Sequence, residues 1–387
     1  MQIYLDYSAT TPTRPEAIAA MQAALSTHWG NPSSLHFAGQ RAATALERSR
    51  VQVARLLNAP PEAIVFTAGG TEANNLVIWG VAQQYAVPQH IIISSVEHSA
   101  IAEPVAQLER QGWQVTRLPV DSTGRINPLE LQAALRANTV FVSVIYGQSE
   151  VGTLQPISTL AAIAQAHGAL FHTDAVQVAG RLPLDVQQLP VDFLSLSSHK
   201  FYGPQGAGAL YIRPGTPLQP LLSGGGQENG LRSGTQALPA IAGFGVAAEL
   251  ALQEMAAETP RLTTLRDRLF SQCQAIPGLV PTGDRIHRLP HHVSFCLAAA
   301  DHDQLNGKNL VRQMNLAGIG ISAGAACQSG KVTPSPILLA MGYGDRVAKS
   351  GIRLTLGRDT TLEDIDWTAM VLRQVIERAT ATFLSRV

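Results

Sequence analysis

From residue 61 onward the chain alternates short β-branched apolar runs with longer stretches in which apolar residues recur every three or four positions. The runs are AIVF from 63, HIIIS from 90, WQVTRL from 113, TVFVSVIY at 139–146, ALFHT at 169–173, VDFLSLS at 191–197 and GALYIR at 208–213. Helical patterns fall between several of them, at TEANNLVIWGVAQQY from 71, near 98–111 and near 157–167. Strands that alternate with helices mark a sheet with crossover connections, and runs with little polar alternation mark strands covered on both faces. The pattern therefore predicts an α/β domain on about seven strands, mostly parallel.

Residues 214–236, RPGTPLQPLLSGGGQENGLRSGT, carry too much Gly and Pro for regular structure, and a loop of this length inside a compact domain is a functional feature or disorder. Helical patterns resume at 238–257 and 260–275. A second alternation follows: HVSFCL at 292–297, a helix near 304–316, GIGIS at 318–322, GIRLTL at 351–356 and a closing helix over 362–384. The expected division is a large domain over 15–257 and a smaller α+β domain made of 1–14 and 258–387. A chain of 387 residues exceeds one ordinary core, so a buried site between two domains is feasible.

Composition narrows the function. Charged residues make up 14% of the chain and the formal net charge is +0, which removes the basic surplus of a nucleic-acid or membrane-surface binder. A small molecule or another protein is the expected partner. Cys273, Cys296 and Cys327 are too few and too scattered for a disulfide framework or a CxxC metal site, which points to a reducing compartment. The start MQIYLDYSATTP shows no basic region followed by an apolar one, and no apolar run approaches the roughly 18 residues of a membrane helix. The expectation is a cytoplasmic protein.

Four lysines occur, and Lys200 alone falls in the first 300 residues. It follows the apolar run VDFLSLSSHK, so His199 and Lys200 stand at the C-terminal edge of a strand, where open α/β sheets place their ligands. A lone lysine there more often reaches for solvent. TAGGTEANN begins at Thr67 directly after a strand and opens a helix, with Thr71 as capping candidate; small residues at a helix N-terminus free backbone N–H groups for a phosphate. The spacing is neither GxGxxG nor a P-loop. Asp174 ends the strand of ALFHTDAVQ, where it either caps a helix or pairs with a pyridinium nitrogen. Strand-end lysine, strand-end aspartate and a glycine turn for phosphate together are what a pyridoxal 5′-phosphate (PLP) site requires.

Other residues join these. His98, in SSVEHSA, also follows an apolar strand and offers a flat ring and a proton relay. Cys327 lies among small residues in GISAGAACQSGKVTPSP, with no regular structure expected between Ala323 and Pro334, whereas Cys273 and Cys296 fit small buried hydrophobes. Arg353 sits inside an apolar strand and needs an anionic partner, either a substrate carboxylate or an internal acid. Asn31, in WGNPSSLH, belongs to a polar loop that is a bare turn or a source of an amide for the same carboxylate. The histidines His291, His292 and His302 with Asp303 lack any zinc-type spacing, so no metal is expected.

Taken together, LDYSATTP, GNPSSLH, TAGGTEANN, EHSA, HTDAVQ, SSHKFYGPQGAGALYIR, GGGQENGLRSGT, the CQS loop and GIRLTLGR closely resemble the NifS/IscS-type cysteine desulfurases, fold-type-I PLP enzymes of the class-V aminotransferase family. The resemblance runs nearly end to end. It implies a homodimer that converts L-cysteine to L-alanine and passes the sulfur, as a persulfide on Cys327, to an iron–sulfur scaffold or another acceptor protein. It further implies that Lys200 carries the cofactor, Asp174 faces the pyridinium, Gln177 donates to the phenolate oxygen and His98 stacks on the ring. Gly70, Thr71, Ser197 and His199 would hold the phosphate, with Thr235 from the second subunit, while Arg353 and Asn31 would take the substrate carboxylate. The spacing from Cys327 to Pro334 is similar to the long-loop branch, whose cysteine can swing toward acceptors. Two departures stand out. QSEVG, with Gln148 and Ser149, replaces the usual NNEIG, and Asn229 stands where arginine is common.

Overall fold

The computed structural model describes residues 2–298, 306–324, 327–328 and 331–384. The chain opens with a two-residue strand, β1 (Ile3–Tyr4), and two helices, α1 (Pro15–Ser26) and α2 (Phe37–Leu56). The alternation follows: β2 (Ile64–Thr67), α3 (Gly70–Ala82), β3 (His90–Ser94), α4 (Ser99–Arg110), β4 (Gln114–Leu118), α5 (Pro128–Ala134), β5 (Thr139–Ile145), α6 (Ile157–His167), β6 (Leu170–Asp174), β7 (Phe193–Ser197) and β8 (Gly208–Ile212). A long helix, α7 (Leu238–Gln274), leads to β9 (Leu279–Pro281), β10 (His292–Leu297), α8 (Gly307–Leu316), β11 (Ile319–Gly320), β12 (Ser322–Ala323), β13 (Cys327–Gln328) and β14 (Lys331–Val332). Helices α9 (Pro336–Ala340) and α10 (Asp345–Ala348), strand β15 (Ile352–Thr355) and helix α11 (Leu362–Leu384) complete it.

Strands β2 to β8 form one seven-stranded sheet in the order β2-β8-β7-β6-β5-β3-β4. The pairings from β4 through β3, β5 and β6 to β7 are parallel, whereas β8 is antiparallel to both its neighbours, β7 and β2. Two reversals in succession leave β2 parallel to β7. The C-terminal ends of β2, β3, β5, β6 and β7 therefore share one edge of the sheet. Successive strand residues point to opposite faces. Accordingly Ile92, Leu194 and Tyr211 join the core built with α2, α6 and α7, while their neighbours Ile91, Phe193 and Leu210 join the core built with α3 and α4. Both faces are covered, which is why these strands read as continuous apolar runs.

A four-stranded sheet, β12-β15-β10-β9, carries a separate core that includes Leu5, Leu269, Phe295, Leu354 and Leu372. Strand β1 pairs in parallel with β11, so the N-terminal segment packs on this second core. Helix α7 joins the two: Phe244 and Met255 belong to the first core, Leu262 and Phe270 to the second.

Three expectations are revised here. The patterns at 238–257 and 260–275 are one helix, with Pro260 inside it. Proline has no N–H to give the carbonyl four residues back, and the helix continues because apolar side chains on both sides of Pro260 are held in cores. This helix also contains an 18-residue window of mean hydropathy 1.2, long and apolar enough to cross a membrane by composition, but half of that window is buried within the protein. Finally, the segment after Ala323 is not wholly irregular: Cys327 pairs with Val332 and Gln328 with Lys331 in a short antiparallel ladder. His302 and Asp303 lie outside the described residues.

Candidate active site

A cavity of about 280 Å³ opens at the shared sheet edge. Gly70, Thr71, His98, Asp174, Gln177, Ser197, His199, Lys200 and Arg353 all line it, together with Ser8, Ala9, Asn74, Ile145, Ser149 and Val176. The topology explains the gathering, because each of the first eight lies at or just past the C-terminal end of β2, β3, β6 or β7.

Lys200 ends a single 3-10 turn, Ser198–Lys200, that follows β7. Its Nζ donates to the carbonyls of Ser8 at 2.7 Å and Ala9 at 2.8 Å. Those carbonyls come from the N-terminal segment, which is fastened over the lysine by Thr11, whose N–H and Oγ1 both donate to His199 O at 2.9 Å. Burial foremost, and then the positive charge of Arg353, lower the Lys200 ammonium to about 8, against opposing pulls from Asp174 and Asp6. His199 is likewise lowered to about 4 by burial and by Lys200, so its ring is neutral, with Nδ1 facing Thr10 Oγ1 at 3.1 Å.

Asp174 caps no helix, because a turn follows β6; its carboxylate is fixed by that turn and by α3. Its Oδ1 accepts from Val176 N–H at 3.0 Å within the turn, and its Oδ2 accepts from Asn74 Nδ2 at 2.8 Å while the residue lines the cavity. Asn74 is a residue that sequence reasoning missed, although an asparagine within an apolar helical stretch asks for a partner. Its Oδ1 is buried with no partner among the described residues. Gln177 gives one amide N–H to Ser8 O at 2.9 Å and keeps a second donor. His98 caps α4, its Nδ1 accepting from Ala100 N–H at 3.1 Å, so the neutral ring carries its proton on Nε2.

The opposite wall is the start of α3. Its cap residue is Gly69, two residues ahead of the expected Thr71. The first N–H groups of the helix have no partner within it and carry its positive dipole end. A β-carbon at Gly70 would stand 2.8 Å from Val176 Cγ2, and one at Gly208 would meet the Gly69 backbone at 2.6 Å, so the approach of helix, strand and cavity wall requires glycine at both positions.

Arg353, on β15, gives Nη2 to Asp6 Oδ1 and Nη1 to Ser149 O, each at 3.2 Å, and its buried Nε has no partner among the described residues. The internal acid expected as one alternative is therefore present, and the guanidinium still faces the cavity. Ser149 O also accepts from His292 Nε2 at 3.0 Å, while His291 Nε2 lies 3.3 Å from Ser8 Oγ. These histidines buttress the cavity walls. The departure at Ser149 leaves the task of its carbonyl untouched, since the backbone performs it. Asn229 has φ 56 and ψ 31, the left-handed region that asparagine tolerates better than most residues. Beside it, Glu228 is held by a buried two-pronged pair with Arg50 at 2.7 and 2.9 Å.

Two expected residues are not brought to the cavity by this chain. Asn31 is exposed, and its Oδ1 accepts from Ser33 N–H at 2.9 Å in its own turn. Thr235 is exposed on the glycine-rich loop. Cys327 is placed on β13 by its backbone; its side chain lies outside what is described. Cys273 and Cys296 are buried, and desolvation pushes each thiol up to about 12, far from a reactive thiolate at neutral pH.

The donor set fits pyridoxal 5′-phosphate: a strand-end amine held near neutrality, a buried carboxylate across from it, a helix N-terminus whose glycine leaves no room for a β-carbon, and an unpartnered guanidinium N–H. The chain matches the aminotransferase class-V family over residues 3–367 and belongs to it. It is 44% identical over 379 residues to the cysteine desulfurase IscS of Dictyoglomus turgidum, covering 97% of this chain and 95% of the relative. Among solved structures, a NifS-like protein superposes with a TM-score of 0.90 at 33% identity, covering 97% of this chain and all of its own. The SspA protein solved in complex with cysteine gives 0.79 at 33% identity, over 92% of this chain and 99% of its own.

Proposed function

We propose that this chain is a PLP-dependent cysteine desulfurase that converts L-cysteine to L-alanine and takes the sulfur onto Cys327. The observation that carries the reading is Lys200: a lysine held near pH 8 at a strand end, facing Asp174, the start of α3 and Arg353 in one cavity. When bound, the cofactor supplies an electron-withdrawing ring that stabilises negative charge at the substrate α-carbon.

The protein residues divide the remaining work. Arg353 takes the substrate carboxylate through N–H groups not given to Asp6 and Ser149, and so fixes which face of the α-carbon meets Lys200. Nζ of Lys200, in its uncharged form, accepts the α-proton. Asp174 would keep a pyridinium nitrogen protonated, Gln177 would give its second N–H to the phenolate oxygen, and His98 would supply a flat ring and a proton relay beside the cofactor. Gly70, Thr71, Ser197 and His199 would hold the phosphate, and Thr235 would reach the cavity of a second copy in a homodimer. The Cys327 thiolate attacks the substrate sulfur; the carbon–sulfur bond breaks as the sulfur–sulfur bond of the persulfide forms, the β-carbon gains a proton, and the α-carbon regains one from Lys200, which completes alanine. The sulfur then passes to an iron–sulfur scaffold or another acceptor protein.

In this reading residues 15–257 form the cofactor domain, and 1–14 with 258–387 form the domain that brings Arg353 and Cys327. The change of core along α7 between Met255 and Leu262 supports that boundary. A reducing compartment such as the cytoplasm suits the cysteine chemistry.

The test is alanine and sulfide production from L-cysteine with a reductant, beside the visible spectrum. Equal amounts of both products are expected, with Cys327→Ser retaining the cofactor absorption but making no alanine. A keto acid in place of alanine would move the assignment to an aminotransferase, which has no need of Cys327. Full sulfide release by Cys327→Ser would remove the persulfide step.

A further inference from the structure

Thr235 stands near the end of the glycine-rich loop and is exposed, yet the residues on either side of it are held. Gly234 N–H donates to Gln227 Oε1 at 2.9 Å, and Gln236 Nε2 donates to Glu228 Oε1 at 3.0 Å. Glu228 is itself buried, although its loop runs over the surface, and its carboxylate takes three more hydrogen bonds. Arg50 Nη1 at 2.7 Å and Phe66 N–H at 2.9 Å reach Oε2, and Arg50 Nη2 reaches Oε1 at 2.9 Å. Arg50 Nη1 donates in addition to Ile64 O at 2.7 Å.

This anchor has a physical reason. β2 is the last strand of the large sheet, and an edge strand leaves backbone groups with no strand to pair them. Ile64 O and Phe66 N–H are two such groups, and the Arg50–Glu228 pair stands in for a neighbouring strand. A second carboxylate ties the loop to the start of α3: Glu72 accepts from Ala68 N–H at 2.9 Å and from Arg232 Nε at 2.8 Å. The backbone between these anchors is not relaxed. Glu228 at φ 49 and Asn229 at φ 56 lie in succession in the left-handed region, which a β-carbon disfavours and which persists where surrounding contacts impose it. The loop is thus fixed by its own chain, with Thr235 left facing outward.

We propose that Glu228, through its buried pair with Arg50, is a positioning residue for the cofactor phosphate of a second copy: it anchors the glycine-rich loop on β2 as a stiff arm that presents Thr235 in a set pose. An arm ordered in advance loses less freedom on association than a flexible one. The proposal rests on the reading of Thr235 as a phosphate ligand across a homodimer, and the test separates the two.

Apoprotein is titrated with pyridoxal 5′-phosphate and, separately, with pyridoxal, which lacks the phosphate, both followed by visible absorption. Thr235→Ala and Glu228→Gln should each raise the dissociation constant for the phosphate form about tenfold, the size of one lost hydrogen bond to a charged group, and leave that for pyridoxal within twofold. Should Glu228→Gln fail to fold because Arg50 is left buried without a counter-charge, Arg50→Met combined with Glu228→Met removes both charges at similar volume and should show the same split. Mixed dimers of Glu228→Gln and Lys200→Ala chains place an intact loop beside the one remaining Lys200, so that site should bind the phosphate form as tightly as the parent. A Thr235→Ala protein within twofold of the parent would remove the reading of Thr235 and the proposal with it. If Thr235→Ala weakens binding and the Glu228 variants do not, the proposal alone fails. Equal weakening toward pyridoxal, or no recovery in the mixed dimers, would show that Glu228 only braces its own chain and would overturn it.

Discussion

Gly70→Ala tests how tightly the phosphate wall is fitted. The added carbon would lie 2.8 Å from Val176 Cγ2 and 3.5 Å from Ser197 Cβ. Carbon pairs are most stable at about 3.5–4.0 Å, so the Val176 contact must open by more than half an ångström. Overpacking of this kind costs about 1–3 kcal/mol. In the folded protein without cofactor, part of that cost is offset by up to about 1 kcal/mol, the preference of helices for Ala over Gly. Val176 lines the cavity and can give way into it only while nothing fills that space. The penalty should therefore fall on cofactor binding.

A loss of about 1–3 kcal/mol corresponds to a cofactor dissociation constant raised roughly 5- to 150-fold. The assay is titration of the apoprotein with pyridoxal phosphate, followed by visible absorption, with urea unfolding as the control for stability. Val176→Ala removes the clashing methyl, so the double variant should recover at least half of the loss, a coupling of about 1 kcal/mol between neighbours. A Gly70→Ala protein that binds within twofold of the parent, or a double variant no tighter than the single one, would refute the reasoning.

Two further outcomes follow from the cavity walls. Glu97 is buried with Oε1 accepting from Ser94 Oγ and Ile145 N–H and with Oε2 unpartnered among the described residues; burial first, and Asp174 in addition, raise its carboxyl from 4.5 to about 8. A raised acid pKa means the folded state holds a proton that the unfolded state has lost. Stability from this group is therefore greatest below pH 4.5 and falls as pH rises to about 8, by at most about 1.4 kcal/mol per unit. Glu97→Gln should flatten that slope in urea unfolding, and an unchanged slope would show that Glu97 is not its source. Arg353→Lys keeps the charge but loses the fork that serves Asp6, Ser149 and the substrate together. It should raise KM for L-cysteine roughly 10- to 100-fold, with kcat within about threefold. A fall in kcat at constant KM would place Arg353 outside carboxylate binding.

The strands and the strand-end residues were legible because burial on both faces writes an uninterrupted apolar run, and Asp174, Ser197 and Lys200 interrupt it where the strand meets the cavity. Strand order was not legible. GALYIR reads like its neighbours, and nothing in it announces that β8 runs antiparallel. Helices α1 and α2 cover the sheet from upstream of the alternation and so leave no mark in it. Pro260 hid the continuity of α7, since a local rule for ending helices was overruled by packing on either side. Asn31 shows the reverse limit: a polar turn signals a turn, and its Oδ1 accepts from Ser33 N–H there.

The largest gap concerns what holds Lys200. Its hydrogen bonds go to two backbone carbonyls more than 190 residues earlier in the chain, and carbonyls carry no residue signature. Yet their identity decides the chemistry. A carboxylate in contact with Nζ would favour the ammonium and hold it above its ordinary value. Neutral acceptors stabilise it less, so burial and the repulsion from Arg353 prevail over the more distant Asp174 and Asp6. With the ammonium lowered to about 8, about a tenth of the lysine is uncharged at pH 7, enough for it to act as a nucleophile and base. An aspartate in place of those carbonyls would hold the same lysine in the same cavity and leave it almost wholly protonated.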